Sequence, residues 1–350
     1  RKHCGYSYIH KRHSKPPAQK VDTASFSPEI LNYLNVTLII GIFLNYCLAS
    51  HHHYIMKIQY LRHKDIVFEK WDNCIDHAIN ALPYAYSWYL NIAAEEQWDA
   101  LVIDDYKAVF PLPFKNRVVF KQIYQPFFVQ QLGLFYTDAA LANHLHYCVE
   151  QIPSAFRKMQ LQLNTFNEMS SSFVKVKQKI THHIDLHKPY ETLLSAYAVN
   201  NKRNVKKAMK ANLNTVTLNT ANELIAFRKK YLAEELAGVQ NDNDLERLRK
   251  LLEKALSLNK GFIKGVVDEH NQLLALCFIL KSNKMLIYLS AVSSEKGKEL
   301  NAMSLLIDGI IQQYANTDFI FDFEGSMIPG LARYYKGFGG VEINFPAIQK

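Results

Sequence analysis

The sequence predicts an α/β protein, with mixed, mainly antiparallel sheets flanked by helices. Three observations predict it. Apolar runs of strand length alternate with segments whose apolar residues recur at 3.6-residue spacing. Two of the strand-like runs, 263–267 and 273–280, are separated only by Asp268, Glu269, His270 and Asn271, which reads as a hairpin connection. Near the chain end, 319–323 is a short apolar run suited to a buried strand; it stops at Asp322 and Glu324, and Gly325 and Ser326 lead into a helix.

The first 55 residues stand apart from this pattern. They hold six basic residues (Arg1, Lys2, Lys11, Arg12, Lys15, Lys20) against Asp22 and Glu29, and so supply +4 of the formal +9. Their apolar stretch, 31–49, is interrupted by Asn32, Asn35 and Asn45. Its strongest core, 36–44, is well short of the roughly 20 residues that cross a bilayer. Met56 is the first methionine and a strand-like run, 57–61, follows it directly. Residues 1–55 are therefore expected to be a poorly structured extension upstream of the true start, and no integral membrane segment is expected.

In the front half, 66–79 reads as a helix burying Val67, Trp71, Cys74, Ile75 and Ala78, and 86–93 as a shorter one. Residues 98–103, an Asp104-Asp105 turn and 106–113 form a hairpin. Pro111 and Pro113 donate no ladder hydrogen bonds, so the second strand should be an edge or end in a bulge. Residues 118–124 continue the sheet, 138–149 form a helix, and 159–163 and 174–186 are late strands. Between them, KQIYQPFFVQQLGLFY (121–136) interleaves aromatic rings with Gln125, Gln130 and Gln131. Aromatics at this density usually fill a core, but buried amides need partners, so a polar-lined cavity wall is the competing reading.

The back half carries two amphipathic helices, 221–236 and 244–258, the first opening with Thr220 and Glu223 at capping-box spacing. Strands at 263–267, 273–280 and 285–291 follow. After Gly297 comes a helix with Leu300, Met303, Leu306, Ile307, Ile310, Ile311 and Tyr314 on one face. Pro329 suits the first turn of the last helix, and Gly337 and Gly339 supply a stop. Ahead of these elements, Arg203, Lys206, Lys207 and Lys210 share a helical face that either grips phosphates or is simply solvated.

Without residues 1–55 the net charge is +5 (35 basic minus 30 acidic), too modest for general nucleic-acid binding. Five scattered cysteines with no C-x-x-C pair point to reduced thiols in a cytoplasmic protein. No cluster reads as a metal site: His144 with His146, and His183 with His187, lack companion ligands.

The order strand, two helices, three antiparallel strands, helix, strand, helix, strand resembles the GNAT acyltransferase superfamily. NNKRNVKKAMK (200–210), FDFEGS (321–326), YYKGFGG (334–340) and YQPFFVQQLG (124–133) resemble its FemABX-type branch in wording. The resemblance implies two tandem GNAT-like domains, here 56–188 and 189–350, each a mainly antiparallel mixed sheet flanked by helices. The 98–113 hairpin matches the 263–280 hairpin in this plan.

The resemblance also implies an N-acyltransferase. It would move an acyl or aminoacyl group from acyl-CoA or aminoacyl-tRNA to an amine on a small molecule or cell-wall precursor. Glu324 is the first candidate base and Asp322 the second; Tyr335, with Tyr334 as alternate, is the candidate acid for the leaving group. Backbone groups of Leu289, Ser290 and Ala291, with Gly297 and Lys298, are expected on the donor, and Gln125, Gln130, Gln131, Ser326, Arg203, Lys207 and Lys336 on the substrates. One departure stands out. Where relatives that use coenzyme A cradle its pyrophosphate on a loop with two small residues at fixed spacing, SSEKGKELNA (293–302) has one glycine, Gly297, and no second small residue at the required position. A non-catalytic GNAT-like binding module is the alternative, and it would point Glu324 and Tyr335 away from any cleft.

Overall fold

A computed structural model describes residues 56–350 apart from 171–172, 233–240, 283 and 326. The expectations for residues 1–55 and for Ser326 lie outside the described residues. The elements are β1 (Ile58–Leu61), α1 (Phe68–His77), α2 (Ser87–Ala93), β2 (Trp98–Ile103), β3 (Ala108–Asn116), β4 (Lys121–Ile123), β5 (Phe135–Tyr136), α3 (Leu145–Glu150), β6 (Phe156–Gln162) and β7 (Lys175–Asp185). They continue with α4 (Tyr190–Ser195), α5 (Val199–Met209), β8 (Asn214–Leu218), α6 (Ala221–Tyr231), α7 (Asp242–Ser257), β9 (Gly261–Val267), β10 (Leu273–Lys281) and β11 (Met285–Ser293). Last come α8 (Glu295–Glu299), α9 (Ala302–Tyr314), β12 (Ile320–Asp322), α10 (Pro329–Lys336) and β13 (Val341–Gln349).

The described strands join in one 13-stranded mixed sheet, ordered β1-β2-β3-β4-β6-β13-β7-β12-β11-β10-β9-β8, with β5 alongside β3. The final strand does not stay with its sequence neighbours. β13 lies between β6 and β7, and β7 in turn pairs with β12, so hydrogen bonding crosses the expected 188/189 boundary without a break. Residues 56–350 accordingly form one compact unit.

Alternation along β10 explains why the back of the sheet is covered on both faces. Leu276, Phe278 and Leu280 join one core cluster, which includes Leu224 of α6 and Leu248, Leu251 and Leu252 of α7. Ala275, Cys277 and Ile279 join the other, with Leu306, Ile307, Ile310 and Ile311 of α9. A strand buried on both sides must be apolar throughout, as LLALCFIL is.

Three local expectations are corrected. Thr220 makes no side-chain cap bond, so the 220–223 capping box does not form; the box forms instead at α7, where Asn241 Oδ1 accepts from Asp244 N and Asp244 accepts back. β3 as a whole lies between β2 and β4 without a bulge, and only its stretch 110–113, which holds Pro111 and Pro113, is a local edge, between the β5 pairing at 108–109 and the β4 pairing at 114–116. Val67 is 48% exposed rather than on the buried face of α1, where Trp71, Cys74 and Ile75 are. Among the described residues, no helix is long and apolar enough to cross a membrane.

Candidate functional site

The site begins with a departure from regular pairing. β11 and β12 pair in parallel only from Met285–Ile320 to Ile287–Asp322. On the other side of β11, Tyr288 faces Ile279 and Ser290 faces Phe278, leaving Leu289 as an extra, unpaired residue. Such a bulge bends the strand and increases its twist. Beyond Asp322 a cleft of about 450 Å³ opens, whose lining includes Arg228, Tyr288, Ala291, Gly297, Tyr334 and Tyr335.

Glu324 follows β12 at the edge of this region. Its backbone is in the left-handed region (φ 57°), which costs a side chain-bearing residue roughly 1–2 kcal/mol and must be held by its surroundings. Asp322 Oδ1 accepts from Glu324 N at 2.8 Å, and the Gln130 amide donates to the Glu324 carbonyl. Gly325 is also left-handed (φ 59°), and a Cβ there would lie 2.2 Å from the Ile180 carbonyl, so the glycine of FDFEGS lets the turn press against β7.

The Glu324 carboxyl accepts a hydrogen bond from Tyr84, a fully buried phenol on the turn Pro83–Ala85. Burial pushes this carboxyl well above the usual carboxylate range; the Tyr84 hydrogen bond lowers it, Asp322 adds to the rise, and Arg228 opposes it. The Arg228 guanidinium, itself lowered to about 10 by burial, donates to Ser290 Oγ at 3.1 Å. Glu324 does not line the cleft, but Arg228 and Tyr335, both of which sense its charge, do.

Tyr335 stacks on Phe323 with ring centroids 4.5 Å apart, and Tyr334 Oη lies 2.9 Å from Ser304 Oγ. Burial raises both phenols, Tyr334 to about 12. They therefore keep their protons at neutral pH, as proton donors must.

Asp322 faces a different space. It is 1% exposed, its Oδ1 accepts from Thr181 Oγ1, and its Oδ2 is 3.3 Å from His183 Nε2. Asp322, His183 and Gln131 line a second cavity of about 560 Å³. The two acids thus end on different sides of one turn, Asp322 bracing the backbone that presents Glu324.

The other predicted residues divide clearly. Lys298 lines the cleft with Gly297 and Ala291. Gly297 is a packing residue: its N–H donates to Ser294 Oγ, and a Cβ would lie 2.1 Å from the Leu274 carbonyl. Gln125 is absorbed by Val129 O and Gln162 N, while Gln131 donates to Gln130 and accepts from Thr165 N. Arg203 and Lys207 are exposed and do not line the cleft, Lys207 donating to Glu299 O; their neighbour Asn204 does line it. Lys336 pairs with Glu342 at 3.4 Å. Asn201 links two of the flagged motifs, donating to Tyr334 O from a position that only a glycine at 337 leaves open.

Sequence reasoning missed Tyr84, Tyr89 and Arg228. The cluster PYAYSWYLN at 83–91 was a signal, since so many hydroxyl-bearing rings cannot all be buried without acceptors.

No family model matches the sequence, and no curated protein matches it. Among solved structures, the crystal structure of FemX matches with a TM-score of 0.60 at 12% identity, over 82% of this chain and 96% of that one. A conserved protein of unknown function from Bacteroides thetaiotaomicron matches with a TM-score of 0.50 at 10% identity, over 84% of this chain and 100% of that one. At these identities the likeness is one of fold. The chain has a large mixed α/β fold, shared with FemX.

Proposed function

We propose that this protein is an N-acyltransferase of the FemABX-like kind, moving an acyl or aminoacyl group from an activated donor to an amine. The observation that carries the reading is the half-buried Glu324, whose carboxyl is bound by Tyr84, raised by burial and set behind a tyrosine-lined cleft where two parallel strands part. An amine attacks only when neutral, and a carboxyl with a raised pKa is a stronger base toward an ammonium group.

In this reading the acceptor nitrogen loses a proton through water to Glu324, and its lone pair forms the new C–N bond at the donor carbonyl. The carbonyl π electrons move onto oxygen, where N–H groups of the bulged stretch Leu289, Ser290 and Ala291 stabilise them. Collapse breaks the bond to the leaving sulfur or oxygen, which takes a proton from Tyr335, with Tyr334 as the alternate, and the second proton of the attacking nitrogen passes through water to that phenolate. Asp322, Gln130 and Gln131 position the Glu324 turn.

The donor is acyl-CoA or aminoacyl-tRNA. The α8 turn fits a pyrophosphate poorly, because its one glycine is occupied by packing against Leu274 and its amide by Ser294. That favours the aminoacyl ester, with Arg203, Lys207 and Lys336 as exposed cations for its phosphates. The acceptor is an amine-bearing small molecule or cell-wall precursor. We also read 56–188 and 189–350 as two related GNAT-like halves, with the chemistry in the second. Three free, buried thiols, Cys74, Cys148 and Cys277, agree with a cytoplasmic setting.

Thermal shift against acetyl-CoA, longer acyl-CoA and aminoacyl-tRNA identifies the donor. With it, Glu324→Gln should lower the rate roughly 100-fold or more, recovering partly at high pH, with donor affinity unchanged. Full activity in both Glu324→Gln and Tyr335→Phe would refute the site.

A further inference from the structure

Where β3 ends at 115–116, and along β4, β6, the start of β7 and the end of β13, one face packs on the core and the other faces outward. Met159, Leu161, Pro346 and Ile348 are buried on the inner face. Register places Lys115 opposite Gln122, Gln122 opposite Lys158, Gln160 and Lys175 opposite Gln349, and Lys177 opposite Ala347. These positions alternate with the buried ones, so Lys115, Lys158, Lys175 and Lys177 share the outer face, and all four are exposed.

Charge on this part of the sheet has one sign. Segments 114–122, 153–163, 173–181 and 343–350 contain nine Lys and Arg and no Asp or Glu. Of the nine, only Lys121 is in an ion pair with a described residue, Asp99 at 2.7 Å. A surface whose cations are left without anions is built for an anionic partner. At the end of the same strands, the turn joining β3 to β4 closes with Arg117 N donating to Phe120 O at 2.8 Å. Its tip is Val118 and Val119, 103% and 70% exposed. Beside it are Lys115, Arg117, whose Nε donates to Gln122, and Lys158, whose ammonium lies 5.9 Å from the Phe120 ring centre; Lys350, paired with Met159, and Lys175, level with Gln160, lie further back on the strands beyond β6.

We propose that this end of the sheet docks on an anionic phospholipid bilayer, with Val118 and Val119 entering the apolar boundary and Lys115, Arg117, Lys158, Lys175 and Lys350 meeting lipid phosphates. A polynucleotide would use the same cations, but it rewards stacking rings at the contact, and two aliphatic side chains gain nothing from a hydrated polyanion. A bilayer rewards both features at once, apolar insertion and a ring of cations at headgroup level.

Flotation of the full chain with vesicles of phosphatidylglycerol and phosphatidylcholine tests this, with phosphatidylcholine alone as control. Binding is expected only to the anionic vesicles, falling with salt. The double variant Val118→Asp, Val119→Asp and the triple variant Lys115→Glu, Lys158→Glu, Lys175→Glu should each bind at least about tenfold more weakly at unchanged melting temperature. The valine variant and the salt series suffice if the triple variant unfolds. Absence of binding, equal binding to neutral vesicles, or wild-type binding by the valine variant overturns the proposal. Tighter binding to an RNA oligonucleotide that the valine substitutions leave unchanged also overturns it, and makes the face a nucleic-acid surface.

Discussion

Partial burial of the Glu324 carboxyl favours its protonated form, and that preference links pH to stability. A carboxyl raised on folding contributes stability that is full below its unfolded value, near 4.5, and is lost as pH rises toward the folded value. Glu324→Gln keeps the shape without the ionisation. Its melting temperature should match the wild type below about pH 4.5 and exceed it increasingly at higher pH, which a pH series of thermal melts checks. The variant that loses activity should thus gain stability, as expected where a site is kept against the needs of folding. Tyr84→Phe separates bracing from chemistry. Its hydrogen bond lowers the Glu324 carboxyl, so removing it should move the acidic limb of the kcat/KM profile to higher pH. An unmoved limb would mean that Tyr84 only packs.

Helix ends show how local signals and actual contacts diverge. Thr220 and Glu223 have the spacing of a capping box but no cap bond, whereas Asn241 and Asp244 make both bonds of one. Asn241→Ala should therefore cost about 1 kcal/mol and Thr220→Ala close to nothing, as read from denaturant midpoints. Equal costs would refute the assignment of the cap. The bulge at Leu289 belongs to the same scale, because a strand with one extra residue cannot stay flat against both neighbours, and the cleft opens on the side where pairing with β12 has ended.

Across the whole molecule, β13 ties the front of the chain to the back. It completes the sheet between β6 and β7, so removing 341–350 would leave both with unpaired edges and uncover Leu161, which faces Ile348. A chain ending at Gly340 should lose cooperative unfolding altogether, and the intact chain should melt in one calorimetric transition. Two transitions would show the halves 56–188 and 189–350 acting as separate domains. The continuous sheet was hidden from sequence reasoning because pairing between 156–162 and 341–349 depends on no local pattern, only on which edges the folded halves leave open.

What the sequence determined by itself was the class of each element, including the strand, turn and helix that carry Glu324. Period-2 and period-3.6 spacing are properties of neighbouring residues, so the hairpin at 98–113, the three strands before α8 and the strand, turn and helix around Glu324 were all legible. The need for Gly325 was legible as a glycine but not as a reason, since the reason is the Ile180 carbonyl of another strand. Only the tertiary structure decided that Asp322 braces rather than faces the cleft, that Gln130 holds the Glu324 backbone, and that Tyr84, 240 positions away, meets its carboxyl. Those contacts follow from how the sheet closes, and burial, which raises the Glu324 carboxyl, exists only once it has closed.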